Sequence, residues 1–397
     1  VRRSVLFVGQ AYYNHWYLSR RLRELGWTAD VVNIDAGSAG HYHGQDRMLV
    51  GRSRVDLVKH LAFFARAARE YDVFHFANAH GLRFGDAIHD FAAHRFAAYD
   101  EIRWLKRMGK RIVYTNNGCL DGVAQTSFRA WPPYPTCDDC PFQHRPDVCS
   151  DELNLGWGRT RNELADYVAL LGGNRADFNV APNVYENPWV YCLDEEVWQP
   201  DLLVPTNYRL GLREQTFKIY HSVGNADTRS QVGTLRNTKS THVYVPLVEQ
   251  LKAEGRDVEL LFFKDVSNLQ LRYYQAQADV FVDMLTAGFF GATAREGLML
   301  GKPVVCYLSP VFLEQMRREI PEYVDELPVI SATPDTVRDV LTDLMDQPER
   351  RAEIGRRSRE FAVKWHGSRA AARAWDRIYR EVLDGTIAPS PWEPVAR

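Results

Sequence analysis

The sequence predicts an α/β protein of two doubly wound domains. Three observations carry that expectation. Apolar runs of strand length alternate with stretches of helical spacing. The runs are apolar throughout, as in parallel strands covered by helices on both faces. The pattern then starts afresh near Phe217, after an irregular, Pro-containing stretch at 198–205 that reads as a linker. With 397 residues there is room for two domains of about 150–200 residues each.

Taken in order, residues 4–9 read as a parallel strand, with a loop from Gly9 to His15. Residues 16–25 have helical spacing that stops at Gly26. A strand follows at 28–34, an amphipathic helix at 56–70, and a strand at 73–76 that opens into Asn78, His80 and Gly81. Residues 102–108 read as helix and 111–115 as strand, and 176–182 reads as the last strand of the first domain. The second domain has strands at 217–221, 259–263, 280–283 and 304–308, with helical spacing at 243–254 and 269–277. Closing helices run from Asp346 through Tyr379. The expected domains are 1–200, with a Cys-rich insertion at about 119–150; 201–368; and 369–397, a helix returning to the first domain followed by a tail.

Composition weighs against some function classes without excluding them. The 49 basic and 51 acidic residues leave a net charge of −2, so no basic footprint favours nucleic acid or an anionic membrane as partner. No apolar run has transmembrane length, and the first strand is too short to be a signal peptide. The expectation is a cytoplasmic protein. Oligomeric state is not readable from the sequence.

The chemistry concentrates in 278–305. A buried strand leads into a Gly-rich turn, Gly288-Phe289-Phe290-Gly291, and a helix starts at Ala292-Thr293. Unpaired N–H groups and the helix dipole at such a start suit an anion. Glu296, about one turn inside, is placed to accept from hydroxyls of whatever carries phosphate. A phosphate bearing a polyol is a nucleotide sugar. The blander alternative is a βαβ unit turned around small residues.

This stretch resembles the donor-binding segment of retaining GT-B glycosyltransferases of the family 4 type: Glu, seven residues, Glu, a small-residue helix, then Gly-x-Pro-Val. Glu296 and the run Gly301-Lys302-Pro303-Val304 match, but the first Glu falls on Gly288; Asp283 is a partial substitute. The run from Ile219 to Asn225, followed by Arg236, Asn237 and Lys239, resembles the family's cationic segment, with Ser240 where a Gly is usual. The resemblance implies a GT-B architecture, two Rossmann-like domains facing across a cleft, and a nucleoside-diphosphate sugar such as a UDP-sugar as donor. It implies that Lys239 and Arg236 stabilise the departing diphosphate, that Glu296 binds ribose hydroxyls, and that residues 288–293 line the donor. Arg229 is an alternative to Arg236. In the first domain, Asn117 stands where relatives carry a His, which leaves His80 as the candidate acceptor contact and proton acceptor. His15 is comparable, and an ordinary structural role is the alternative for both.

The cysteines need a separate account. Cys119, Cys137, Cys140 and Cys149 fall in one Pro-rich insertion and have the spacing of a structural zinc site, with His144 able to replace Cys119. Reduced, unligated thiols or a disulfide are the competing readings. The insertion follows a cleft-facing strand end and is expected to overhang the acceptor side. Cys192 and Cys306 read as core residues. No feature points to a catalytic metal. The expectation is thus a glycosyltransferase acting on a hydroxyl acceptor, with retention implied by the resemblance alone; a nucleotide-sugar epimerase or hydrolase on the same fold, or a non-catalytic binding protein, are the alternatives.

Overall fold

A computed structural model describes residues 3–35, 43–77, 82–93, 95–116, 118, 121–130, 134, 136–170, 175–264 and 266–392. The chain divides into two compact units. The first comprises Val1–Ala124, Asp151–Cys192 and Ser368–Arg397; the second comprises Gln125–Ser150 and Leu193–Gly367.

The first unit holds a seven-stranded sheet: β1 (Ser4–Val8), β2 (Thr28–Asn33), β3 (Arg47–Met48), β4 (Val73–Phe76), β5 (Arg111–Thr115), β6 (Tyr167–Leu170) and β7 (Val184–Glu186). Every pairing is parallel, in the order β3-β2-β1-β4-β5-β6-β7. The sheet is doubly wound, because the order reverses between β1 and β4. Residues of β1 and β4 are fully buried, which is why these strands read as unbroken apolar runs. The helix Arg54–Glu70 starts at a capping box in which Ser53 and Asp56 satisfy each other's backbone N–H, as expected of a Ser-x-x-acid start. The helix Ser368–Asp384 completes this unit. It buries Trp375 and Tyr379, and Trp27 Nε1 donates to Asp376 at 2.7 Å.

The second unit holds β8 (Phe217–His221), β9 (Val258–Phe262), β10 (Val280–Val282), β11 (Val304–Cys306) and β12 (Ile330–Ser331). They form a parallel sheet in the order β12-β11-β10-β8-β9. Counted within the unit this order is 5-4-3-1-2, the flavodoxin-like winding, with its switch point between β8 and β10. Ile219, Val280, Tyr244, Leu251 and Leu341 pack in its core. Trp198, in the stretch read as linker, is fully buried, and Arg359 donates to its carbonyl at 2.6 Å.

Two sequence expectations change here. Residues 176–182 are not a strand: Asp177–Asn179 is a 3₁₀ turn, and Asp177 has φ +48°, a left-handed conformation that breaks extended backbone. Its carboxylate accepts from Ala124 N at 2.9 Å, and the final strands are β6 and β7. Second, residues 125–150 group with the second unit although their neighbours at both ends belong to the first. Among the described residues no helix is long and apolar enough to cross a membrane.

Candidate functional site

In a doubly wound sheet, ligands bind outside the carboxyl ends of the strands at the switch point. In the second unit that position is held by the residues after β8 and β10, and the sequence-predicted cationic segment and Gly-rich turn converge there. Asp283, immediately after β10, is 1% exposed. Its Oδ1 pairs with Lys239 Nζ, and its Oδ2 accepts from Gly291 N at 2.6 Å. Tyr244 OH donates to the Asp283 carbonyl at 2.6 Å. One buried carboxylate therefore gathers the lysine and the first backbone donor of the helix Ala292–Met299.

The turn holding Lys239 is built by Asn237, whose Oδ1 accepts from Lys239 N at 3.0 Å. Ser240 follows at φ +61°, in the left-handed region where glycine is the easiest residue. Ser240 keeps that conformation and adds an acceptor, receiving Leu285 N at 3.0 Å. The hydroxyl thereby ties the cationic turn to the loop after β10. His221, at the end of β8, lies beneath with its Nε2 2.7 Å from Thr241 Oγ1. Burial, reinforced by the Lys239 charge, pushes its pKa down to about 3.

Gly288 has φ +82°, and a Cβ there would lie 2.7 Å from Ser309 Cβ. The backbone carbonyl of Gly288 accepts Ser309 N at 2.9 Å. This close approach explains the missing first glutamate: the turn as folded has no space for a side chain at 288. The rest of the Gly-rich turn is pinned by Arg295, which donates to the carbonyls of Phe290 and Gly291 at 2.7 and 2.9 Å and lies 4.4 Å over the Phe290 ring. Glu296 is buried, and its Oε2 accepts from Gln275 Nε2 at 2.6 Å. The same amide nitrogen is 3.2 Å from Tyr220 OH.

Arg236 is half-exposed and meets Asp139 at 3.1 Å. The Asp139 carboxylate, itself 8% exposed, also lies 3.7 Å from His242 Nε2 and accepts from Thr286 Oγ1 at 3.2 Å. Burial lowers the His242 pKa; Asp139 opposes that shift and Arg236 adds to it. Sequence reasoning missed Asp139, Thr286, Gln275 and His242. Asp139 was legible only as a spacer between candidate metal ligands, and the other three carry no local motif.

The zinc expectation finds no support. Among the described residues no group of three or more His, Cys, Asp or Glu is arranged to hold a metal. Cys137 and Cys140 are free, half-buried thiols, and burial pushes the Cys137 thiol up to about 11; Cys149, also half-buried, accepts from Gln125 Nε2 at 3.6 Å. Cys119, Asn117 and His80 lie outside the described residues. His15 is in the first turn of the helix Asn14–Glu24 rather than in a loop. It is buried, with Nδ1 2.7 Å from the Gly9 carbonyl, and burial lowers its pKa to about 4. Its ring packs 4.8 Å from that of His75, so it sits in the core of the first unit. Cys192 and Cys306 are core residues as expected.

Comparison with known proteins agrees with the fold. No protein-family model and no curated protein sequence matches the chain. Among solved structures, the chain is similar to GT-B glycosyltransferases. One is the sucrose-phosphate synthase of Thermosynechococcus elongatus, with TM-score 0.56 and 14% identity over 97% of this chain and 100% of that one. Another is Anabaena HepE in complex with UDP-glucose, with TM-score 0.56 and 13% identity over 95% of this chain and 99% of that one. HepE with UDP and glucose aligns at TM-score 0.55 and 12% identity, covering 95% of this chain and 99% of that one. At this identity the likeness shows the fold, which is GT-B.

Proposed function

We propose that this protein is a glycosyltransferase that moves a sugar from a nucleoside-diphosphate donor, a UDP-sugar, to a hydroxyl acceptor. The observation that carries the reading is the convergence of Lys239 Nζ and Gly291 N on one buried carboxylate at the β8/β10 switch point. A cation and a helix N-terminus fixed together are what a departing diphosphate requires, because negative charge grows on it as the glycosidic bond lengthens. HepE, bound to UDP and to UDP-glucose, supports a uridine donor.

In this mechanism the diphosphate lies over the start of the helix Ala292–Met299, with Lys239 and Arg236 as its cations. Asp283 holds Lys239 in place, so the lysine is already oriented before the donor arrives. Glu296 receives the ribose hydroxyls, its carboxylate oriented by Gln275. The backbone of Gly288, Phe289, Phe290 and Gly291, with Ala292 and Thr293, lines the sugar and phosphates. Retention at the anomeric carbon follows from the family resemblance, with a diphosphate oxygen taking the acceptor's proton. His80 is the candidate acceptor contact and proton acceptor.

Thermal-shift titration with UDP, GDP, ADP and dTDP is the direct test, since binding to the native state raises the melting point by mass action. Selective stabilisation by UDP is expected. Lys239→Ala should remove that shift and lower turnover about 100-fold, the usual loss when one donor to a developing anion is deleted. A Lys239→Ala enzyme with full turnover would sink the donor-site assignment.

A further inference from the structure

The segment Gln125–Ser150 leaves the first unit, packs with the second, and returns. Among its described residues, regular structure is limited to a five-residue helix, Gln125–Arg129, and the 3₁₀ turn Thr136–Asp139. Its contacts with the second unit fall around the candidate donor site. Phe128 meets Phe289 of the Gly-rich turn edge-on, at a centroid distance of 6.4 Å. Gln231 Nε2 donates to the Asp138 carbonyl at 2.7 Å. Tyr134 OH donates to Asp335 at 3.0 Å. At the centre stands Asp139, its carboxylate facing Arg236, Thr286 and His242.

Those are partners of the kind a phosphate selects: a guanidinium, a hydroxyl and an imidazole, all on or beside the cationic turn and the loop after β10. Arg236 is the residue read as a diphosphate cation, and a carboxylate already occupies it. We propose that this segment is a built-in strap whose Asp139 carboxylate imitates donor phosphate, so that the strap and the donor diphosphate compete for Arg236. The inference rests on the donor-site reading above. Among its described residues the strap is held by the polar contacts above and by two aromatic pairs, Phe128 with Phe289 and Tyr134 with Tyr307, and its release is a local opening rather than global unfolding. While it is seated, only the fraction of molecules with the strap released binds donor at full affinity, which weakens the apparent affinity by that fraction. The free enzyme is thereby shielded from other phosphorylated ligands.

The test is a calorimetric titration of the full chain with UDP. Asp139→Asn keeps the shape of the strap but removes its charge, and is expected to bind UDP about tenfold more tightly than the wild type. Placing Asp139→Asn on an Arg236→Ala background should give no gain over Arg236→Ala alone, because the contested cation is gone. A second readout follows the strap itself. Saturating UDP should speed alkylation of the half-buried Cys137 and Cys140 by N-ethylmaleimide, mapped by mass spectrometry, and leave the buried Cys306 slow. Equal or weaker UDP binding by Asp139→Asn, or alkylation unchanged by UDP, overturns the competition while leaving the donor site standing. Failure of wild type and Asp139→Asn alike to bind UDP, GDP, ADP or dTDP removes the donor-site reading, and the inference falls with it.

Discussion

At the scale of single residues, the site is organised by backbone conformations that a side chain must tolerate. Gly288 carries a positive φ and a Cβ-sized gap of only 2.7 Å to Ser309. Introducing an acidic side chain there by Gly288→Glu should therefore destabilise the protein by about 3 kcal/mol, combining left-handed strain with overpacking. Thermal denaturation checks this, and a variant as stable as the wild type would show that the turn adapts. A second residue-level prediction concerns acid. His15 is held at about 4 in the folded state against an ordinary value of 6.5, so the unfolded chain binds the extra proton first as pH falls. The stability this neutral histidine contributes is complete above pH 6.5 and is lost progressively between about 6.5 and 4. The loss amounts to about 3 kcal/mol at full burial. His221, lowered to about 3, extends the same trend to more acid pH. Urea denaturation from pH 7 to pH 4 should show His15→Gln with a flatter pH dependence than the wild type.

At the scale of elements, the helix Ala292–Met299 decides the site because it must approach β10 closely. Gly297 makes that approach possible: a Cβ there would meet the Phe281 ring at 2.6 Å. Gly297→Ala, normally favourable within a helix, should instead cost about 2 kcal/mol through overpacking. It should also weaken UDP binding by moving the helix start, and a calorimetric titration beside a thermal melt separates the two effects. A stabilised Gly297→Ala protein with unchanged UDP binding would contradict the close-packing account. The cationic turn is the complementary element. The Asn237 side chain closes the turn by accepting from Lys239 N, and the Ser240 hydroxyl ties it to the loop after β10 by accepting from Leu285 N, so Lys239 is positioned by the fold of two loops rather than by its own rotamer alone.

At the scale of the molecule, the first unit is discontinuous in sequence. The helix Ser368–Asp384 follows the whole second unit and supplies Trp375 and Tyr379 to the core around β4. Tyr379 OH lies 2.6 Å from His75 Nδ1, and His75 Nε2 lies 2.6 Å from Thr115 Oγ1. A chain ending at Gly367 loses both aromatics, each contributing about 3 kcal/mol by burial, and leaves His75 without its phenol partner. Such a chain is expected to lose the cooperative unfolding of the first unit. Differential scanning calorimetry reads the outcome; an unaltered endotherm would mean the C-terminal helix is dispensable.

Local pattern was enough for most of the two sheets. The strands at 73–76, 111–115 and 217–221 were legible to the residue, because parallel strands buried on both faces leave continuous apolar runs bounded by polar turns. The two-residue edge strands β3 and β12 were not legible, since so short a segment has no period. The turn at Asp177 was missed because its left-handed backbone is stabilised by a distant partner, Ala124 N. At the candidate site, the Gly-rich turn, Lys239, Arg236 and Glu296 could be named from spacing and resemblance. Their partners Asp283, Gln275 and Asp139 acquire meaning only through contacts separated by 44, 21 and 97 positions in the chain. The sequence by itself determined that each domain is built of buried parallel strands alternating with helices, and which residue types gather at a strand end; both follow from local periodicity and short-range turn chemistry. Only the tertiary structure decided that the Cys-rich segment packs with the second unit and sets a carboxylate on Arg236, because long-range pairing depends on burial and charge complementarity, which leave no local periodic trace.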